Sequence, residues 1–152
     1  MQSIADLLTP GRTVCHVSGG SKKRLFETIA SIISEDQLSL TPNEIFSHLI
    51  ARERLGSTGL GKGIAIPHCR VDNCSRPLGT LITLDEPLAY DAPDGLPVDL
   101  LFVLLVPSEE HQQHLDILAQ IAGLFSQDAF CNALRTSKDS TELFETAIGW
   151  AS

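Results

Sequence analysis

Apolar positions follow two rhythms along this chain, and the rhythms divide it into elements. Leu25, Ile29, Ile32 and Ile33 stand at i, i+4, i+7 and i+8, one face of an α-helix. Ser18-Gly19-Gly20-Ser21 opens that helix, and Lys22, Lys23 and Arg24 crowd its first turn. Three cations there oppose the helix dipole, which points either to a use other than stability or to a plain solvated start. A second helix begins where Thr41 caps, Pro42 fills the first turn and Glu44 completes a capping box. Ile45, Phe46, Leu49 and Ile50 form its apolar face, and Gly56 marks its stop. Arg52 and Arg54 fall in its last turn, where cations suit the dipole.

Beyond a glycine-dense loop over Gly56 to Gly63, the rhythm changes. Ile64-Ala65-Ile66 reads as a short strand ending at Pro67, and Leu78 to Leu84 as a second strand. Val98 to Val106 is almost wholly apolar and therefore central, with Asp94-Gly95 as a turn before it. Ser108 starts a helix with Leu115, Leu118, Ala122 and Phe125 on one face. Two short helices follow, one capped near Ser126 to Asp128 and one from about Ser140, with Leu143 and Ile148 turned inward. The first 14 residues read as a short strand or an arm, with Pro10-Gly11 as a turn. No internal repeat interrupts the pattern, so 1–152 reads as a single α/β layered domain with an N-terminal arm over about 1–18.

Composition narrows the partners. Eleven Lys and Arg against 19 Asp and Glu give a formal charge of -8, which disfavours nucleic acid and anionic lipid and favours a protein partner. The longest apolar run, Leu100 to Val106, is far short of the roughly 20 residues of a spanning helix, and Met1 to Val14 lacks the form of a signal peptide. A cytoplasmic protein, not embedded in a membrane, is the expectation. Cys15, Cys69, Cys74 and Cys131 form no CxxC pair, as expected of reduced thiols.

Several constellations invite chemistry. Gly56, four residues, Gly61 and Lys62 imitate a Walker loop, but Gly63 stands where a Ser or Thr holds magnesium, and a strand rather than a helix follows. His68, directly after Pro67 at a strand end, is placed to face a crevice. His111 and His114 share a helix face. A metal site from His68, Cys69, Cys74, His111 and His114 matches no standard zinc spacing, and Cys69 has no protease-like partners.

The run Arg52-Glu53-Arg54-Leu55-Gly56-Ser57-Thr58-Gly59-Leu60-Gly61-Lys62-Gly63-Ile64-Ala65-Ile66-Pro67-His68 closely resembles the active-site signature of type-2 EIIA domains of the bacterial phosphotransferase system, the mannitol/fructose class. Pro97 to Phe102, Val106-Pro107 and His114-Leu115 resemble the second half of the same pattern, and the likeness spans about residues 20 to 150. The resemblance implies an α/β sandwich with a small mixed β-sheet flanked by helices, and phosphorylation of His68. It places the second active-site histidine on His114 and the phosphate-facing arginine on Arg52, although Arg54 is as well placed by helix position alone. Amides of Ser57, Thr58 and Gly59 are further candidates to hold the phosphoryl group.

By the same resemblance, an HPr-like protein donates the phosphoryl group to Nε2 of His68, and neither a cofactor nor a metal takes part. The nitrogen-regulatory branch, suggested by Ser21-Lys22-Lys23-Arg24 and the stand-alone length, implies that the phosphorylation state governs regulatory target proteins. The alternative is a sugar-specific EIIA that passes phosphate to an EIIB domain.

Overall fold

The computed structural model describes residues 4–108 and 111–150, without the side chains of residues 111–113. In chain order the elements are α1 (Ile4–Leu7), a 3-10 turn (Pro10–Arg12), β1 (Thr13–Val17), α2 (Lys22–Asp36), α3 (Pro42–Leu55), β2 (Gly59–Gly61), β3 (Ile64–Ala65), β4 (His68–Val71), β5 (Leu78–Leu88), β6 (Val98–Pro107), α4 (His111–Phe125), α5 (Asp128–Arg135) and α6 (Ser140–Trp150). The strands form one mixed sheet in the order β1-β5-β6-β3-β2, with β4 also paired to β6. β6 is therefore the axis of the sheet, as its unbroken apolar sequence requires.

Side chains of β6 alternate between two cores. Leu101, Val103 and Leu105 pack with α2 and α3, while Leu100, Phe102, Leu104 and Val106 pack with α1, α4, α5 and α6. All seven are at most 1 % exposed, so both faces of the sheet are covered and the molecule is a layered sandwich.

The capping signals of α2 and α3 act as written, whereas α5 starts at Asp128 behind Gln127 with no side-chain cap, the Ser126 hydroxyl donating to the Gly123 carbonyl instead. Ser21 Oγ accepts from the Arg24 amide at 3.2 Å, and Thr41 and Glu44 close a reciprocal capping box. The N-terminal segment is no free arm. β1 pairs in parallel with β5, and the buried Arg12 ties the segment down through Asp36 at 2.8 Å and through the Leu7 and Gly79 carbonyls.

Two further expectations change. The Gly56–Gly63 segment is not a loop: β2 and β3 pair antiparallel, with Lys62-Gly63 as a two-residue turn between Gly61 and Ile64. Both turn residues have positive φ, 58° and 81°, the requirement of a type I′ hairpin that fits the twist of paired strands. The segment that imitates a Walker loop is therefore a hairpin. On α4, Phe125 is buried and Leu118 and Ala122 pack against the core as expected, but Ile117 and Ile121 form the buried centre of the face and Leu115 is 60 % exposed. The expected start of this helix at Ser108 adjoins residues 109 and 110, which lie outside the described residues.

The strand before Pro67 continues after it. Ile64 and Ala65 pair with Leu100 and Leu101, and His68 to Val71 pair with Leu104 to Pro107 in unbroken register. β3 and β4 are thus one parallel strand interrupted at Ile66-Pro67. Proline has no amide hydrogen to give the ladder, but the Pro67 carbonyl still accepts from the Leu104 amide at 2.9 Å.

Candidate functional site

A cleft of about 530 Å3 opens beside β4, between the two helical layers. α3 contributes His48, Arg52 and Leu55, β4 contributes His68 and Arg70, and α4 contributes His114. His68 and Arg70 share one face of the strand, while Cys69 and Val71 alternate into the core formed with α2 and α3. Two arginines and three imidazoles line this cleft in a chain of formal charge -8, so its chemistry favours an anion. A second recess of about 320 Å3, between α1, α4 and α6, is lined by apolar side chains and two glutamines and brings no titratable group to its wall.

His68 is held in one tautomer. Its Nδ1 lies 2.6 Å from the Ile66 carbonyl oxygen; a carbonyl only accepts, so Nδ1 carries the hydrogen. Nε2 keeps the lone pair and is the nucleophilic atom. The pKa of His68 is lowered from the usual 6.5, first by burial and then by the Arg52 charge, against opposing contributions from the Ile66 hydrogen bond and the Glu53 carboxylate. The ring is thereby kept neutral, the form that can attack phosphorus.

The His114 ring stands edge-on to His68, with centroids 5.6 Å apart and planes at 77°. Arg52 reaches the cleft from the last turn of α3, with Nη1 donating to the Gly56 carbonyl at 2.9 Å. This steadies a guanidinium that has five donors to offer. Arg54 is exposed and is not part of the cleft wall, which separates the two arginines that the sequence left equivalent by helix position.

The amides of Thr58 and Gly59 are taken up within the protein. The Thr58 amide donates to Glu53 Oε2 at 3.1 Å, the Gly59 amide donates to Ser57 Oγ at 3.2 Å, and none of Ser57, Thr58 and Gly59 lines the cleft. His111, the other half of the histidine pair, has its side chain outside the described residues. Among the described residues no group of three or more His, Cys, Asp or Glu is arranged to hold a metal. Burial pushes the Cys69 thiol up to about 12, with a smaller push from Cys74.

Sequence reasoning passed over His48 and Arg70 in the cleft and Glu53 behind it. His48 was legible, being one helical turn before Arg52, and Arg70 follows from strand alternation after His68. The role of Glu53 was not, because its partners come from three other segments.

The signature described as the phosphoenolpyruvate-dependent sugar phosphotransferase system, EIIA 2, matches residues 6–148. A nitrogen regulatory protein of Pseudomonas aeruginosa is 44 % identical over 148 residues, covering 97 % of this chain and 96 % of its own. The crystal structure of nitrogen regulatory protein IIA-Ntr from Neisseria meningitidis superposes with a TM-score of 0.87 at 41 % identity, over 95 % of this chain and 98 % of that one. Mannitol IIA of Escherichia coli, in its complex with phosphorylated mannitol IIB, shares the fold at a TM-score of 0.73 and 14 % identity, over 93 % of this chain and 97 % of that one.

Proposed function

The chain belongs to the EIIA 2 family of the phosphoenolpyruvate-dependent sugar phosphotransferase system, and we propose that it is a phosphohistidine carrier whose phosphorylation state regulates other proteins. The observation that carries this reading is the imidazole of His68, with Nδ1 tied to Ile66 and Nε2 left to the cleft that Arg52 and His114 also line. Nε2 attacks the phosphorus of a phosphohistidine on an HPr-like donor. The donor's N–P bond breaks as the Nε2–P bond forms, and the Nδ1 proton stays where it is. Such transfers pass through a loose transition state with charge spread over the equatorial oxygens, so position and charge matter most. Arg52 supplies the fixed positive charge and His114 a hydrogen bond to a phosphoryl oxygen.

The regulatory role is supported by the nitrogen regulatory relatives and by the nature of the switch. A phosphoryl group adds close to two negative charges at the cleft mouth. Leu55, 84 % exposed, lines the cleft, and Leu115, 60 % exposed, adjoins His114 in sequence. A partner that covers these leucines would also meet the group on His68. No helix among the described residues is long and apolar enough to cross a membrane, and a cytoplasmic carrier acting without nucleotide or metal completes the proposal.

A second reading is passage of the phosphoryl group to an EIIB domain, favoured by the mannitol neighbour, a IIA protein in complex with a phosphorylated IIB. The two readings separate in one assay. The phosphorylated protein is offered to sugar-specific EIIB domains and, separately, both its forms are passed over immobilised partner proteins. Robust passage to EIIB would replace the regulatory reading; partner binding that changes with phosphorylation, without passage, supports it.

A further inference from the structure

Glu53 is buried, yet it is a carboxylate, and its side-chain contacts lead toward His68. Oε2 accepts from the Thr58 amide at 3.1 Å and pairs with Lys22 Nζ at 2.6 Å. Oε1 accepts from Thr58 Oγ1 at 2.6 Å and faces the Tyr90 hydroxyl at 3.3 Å. Lys22 in turn donates to the Tyr90 carbonyl at 3.0 Å and lies over the Tyr90 ring, 4.1 Å from its centroid. One of the three cations in the first turn of α2 therefore serves to hold this carboxylate.

The line does not stop at Thr58. The Thr58 carbonyl accepts from the Ile66 amide at 3.0 Å, and the Ile66 carbonyl accepts from His68 Nδ1 at 2.6 Å. Three hydrogen bonds in series join the Glu53 carboxylate to the imidazole, through the backbones of Thr58 and Ile66. The middle link exists because Ile66 turns its amide and carbonyl away from β6, to Thr58 and to His68, while the Pro67 carbonyl beside it accepts from the Leu104 amide of β6 at 2.9 Å. Glu53 is also adjacent to Arg52 in the last turn of α3, so one anchored turn holds the carboxylate and the cleft cation together. Each link crosses a Cα, from the N–H of one peptide unit to the C=O of the next, so what the buried carboxylate supplies along this path is position: it fixes the Thr58 backbone, which fixes Ile66, which holds the ring.

We propose that Glu53 is the positioning residue of the phosphoryl-accepting imidazole: its buried carboxylate, acting through Thr58 and Ile66, fixes the ring orientation and the Nδ1–H tautomer that leave Nε2 to attack. This rests on His68 being the accepting residue. Orientation and tautomer belong to the ring before transfer and are read without any phosphoryl donor. Tyr90 and Lys22 hold Glu53 in place; they do not touch the reacting atoms.

The test is the tautomer of His68, read by long-range proton–nitrogen NMR in folded wild type, Glu53→Gln, the double variant Glu53→Gln/Lys22→Met, and Tyr90→Phe. The double variant removes the buried ion pair as a unit, which proteins tolerate better than loss of one partner, and Tyr90→Phe removes only a hydroxyl. Wild type is expected to show Nδ1–H alone and both Glu53 variants a mixture of tautomers, with Tyr90→Phe shifted the same way by less. Transfer from a charged HPr-like donor is expected to slow at least about tenfold in the Glu53 variants, with the donor KM changed less than about threefold. A purely structural role predicts instead that the double variant regains wild-type transfer. A wild-type tautomer ratio in every variant that folds overturns the proposal, and leaves the carrier reading intact if wild type is phosphorylated on His68. A tautomer shift in the variants of a protein that takes no phosphoryl group upholds the positioning and removes the carrier reading.

Discussion

His68 Nδ1 and the Ile66 carbonyl oxygen stand 2.6 Å apart across a proline. That carbonyl faces away from β6, whereas the Pro67 carbonyl keeps to the ladder and accepts from the Leu104 amide at 2.9 Å. Strand alternation thus leaves the Ile66 carbonyl to the imidazole two residues on, across a proline whose fixed φ sets the path between them. Replacing Pro67 by Ala returns an amide hydrogen at this position and releases φ. It is expected to slow phosphoryl acceptance while leaving the circular dichroism spectrum unchanged; transfer at the wild-type rate would show that the orientation does not depend on the proline.

The His68 pKa supplies a prediction with a definite sign. Burial, and after it the Arg52 charge, hold it below 6.5, so the folded ring resists a proton that the unfolded chain takes up. For this group, stability is full above pH 6.5 and falls as the pH drops from there toward the folded pKa. Titration of the His68 ring by NMR should give a midpoint below that of a histidine peptide. Arg52→Gln should move it upward, since the charge that lowers it is gone.

Arg52 and Arg54 are both cations in one helical turn, but of the two only Arg52 lines the cleft. Arg52→Ala is expected to slow transfer to His68 on the order of 100-fold, the usual loss when a preorganised charge-stabilising donor is removed, and Arg54→Ala to change it little. Rate constants from a rapid-quench assay with a charged donor decide this, and the reverse order would reassign the cation. In the same assay His114→Ala should lose more than His114→Gln, which keeps a side-chain donor.

Gly63 occupies the second turn position of the β2–β3 hairpin at φ 81°, and a Cβ there would stand 2.8 Å from Arg135 Nη2 and 3.0 Å from Asp99 Oδ1. Gly63→Ala is expected to cost about 1–2 kcal/mol from the left-handed backbone, a fall in Tm of about 2–8 °C for a domain of this size. Thermal unfolding measures it directly. A change within error would mean that the hairpin relaxes at no cost.

Cys69 directly follows His68 but points the other way, into the core, and burial raises its pKa to about 12. Thiolate is the reactive form, so Cys69 is expected to resist iodoacetamide and mild peroxide at pH 8 in the folded protein. The half-exposed Cys15 should be modified first. Peptide mass mapping after brief exposure tests the order, and early modification of Cys69 would mean that its thiol is open to solvent rather than packed in the core.

What the sequence made legible follows from which signals are local. The capping residues of α2 and α3, the apolar face of α2 and the unbroken β6 run are each written in one segment, and each element formed where its signals lie. β2 and β4 are three and four residues long, too short for a period, and glycine in one and a preceding proline in the other read as breaks. On α4 apolar residues occur nearly all round the helix, so periodicity left two faces open and packing chose Ile117 and Ile121 over Leu115. In the cleft, His68 and His114 stood out by position, Arg52 and the roles of all three came from resemblance, and the fold brings them to one wall. Glu53 was out of reach, because its meaning lies in contacts with Lys22, Thr58 and Tyr90.

The most direct test of the carrier is phosphoryl transfer from labelled phosphoenolpyruvate through enzyme I and an HPr-like donor, comparing wild type with His68→Ala. Label that enters wild type, is lost in acid, survives base and is absent from folded His68→Ala is the predicted result. Label on neither protein, from a donor shown to be charged, or equal label on both, would contradict the assignment of His68 as the residue that carries the phosphoryl group.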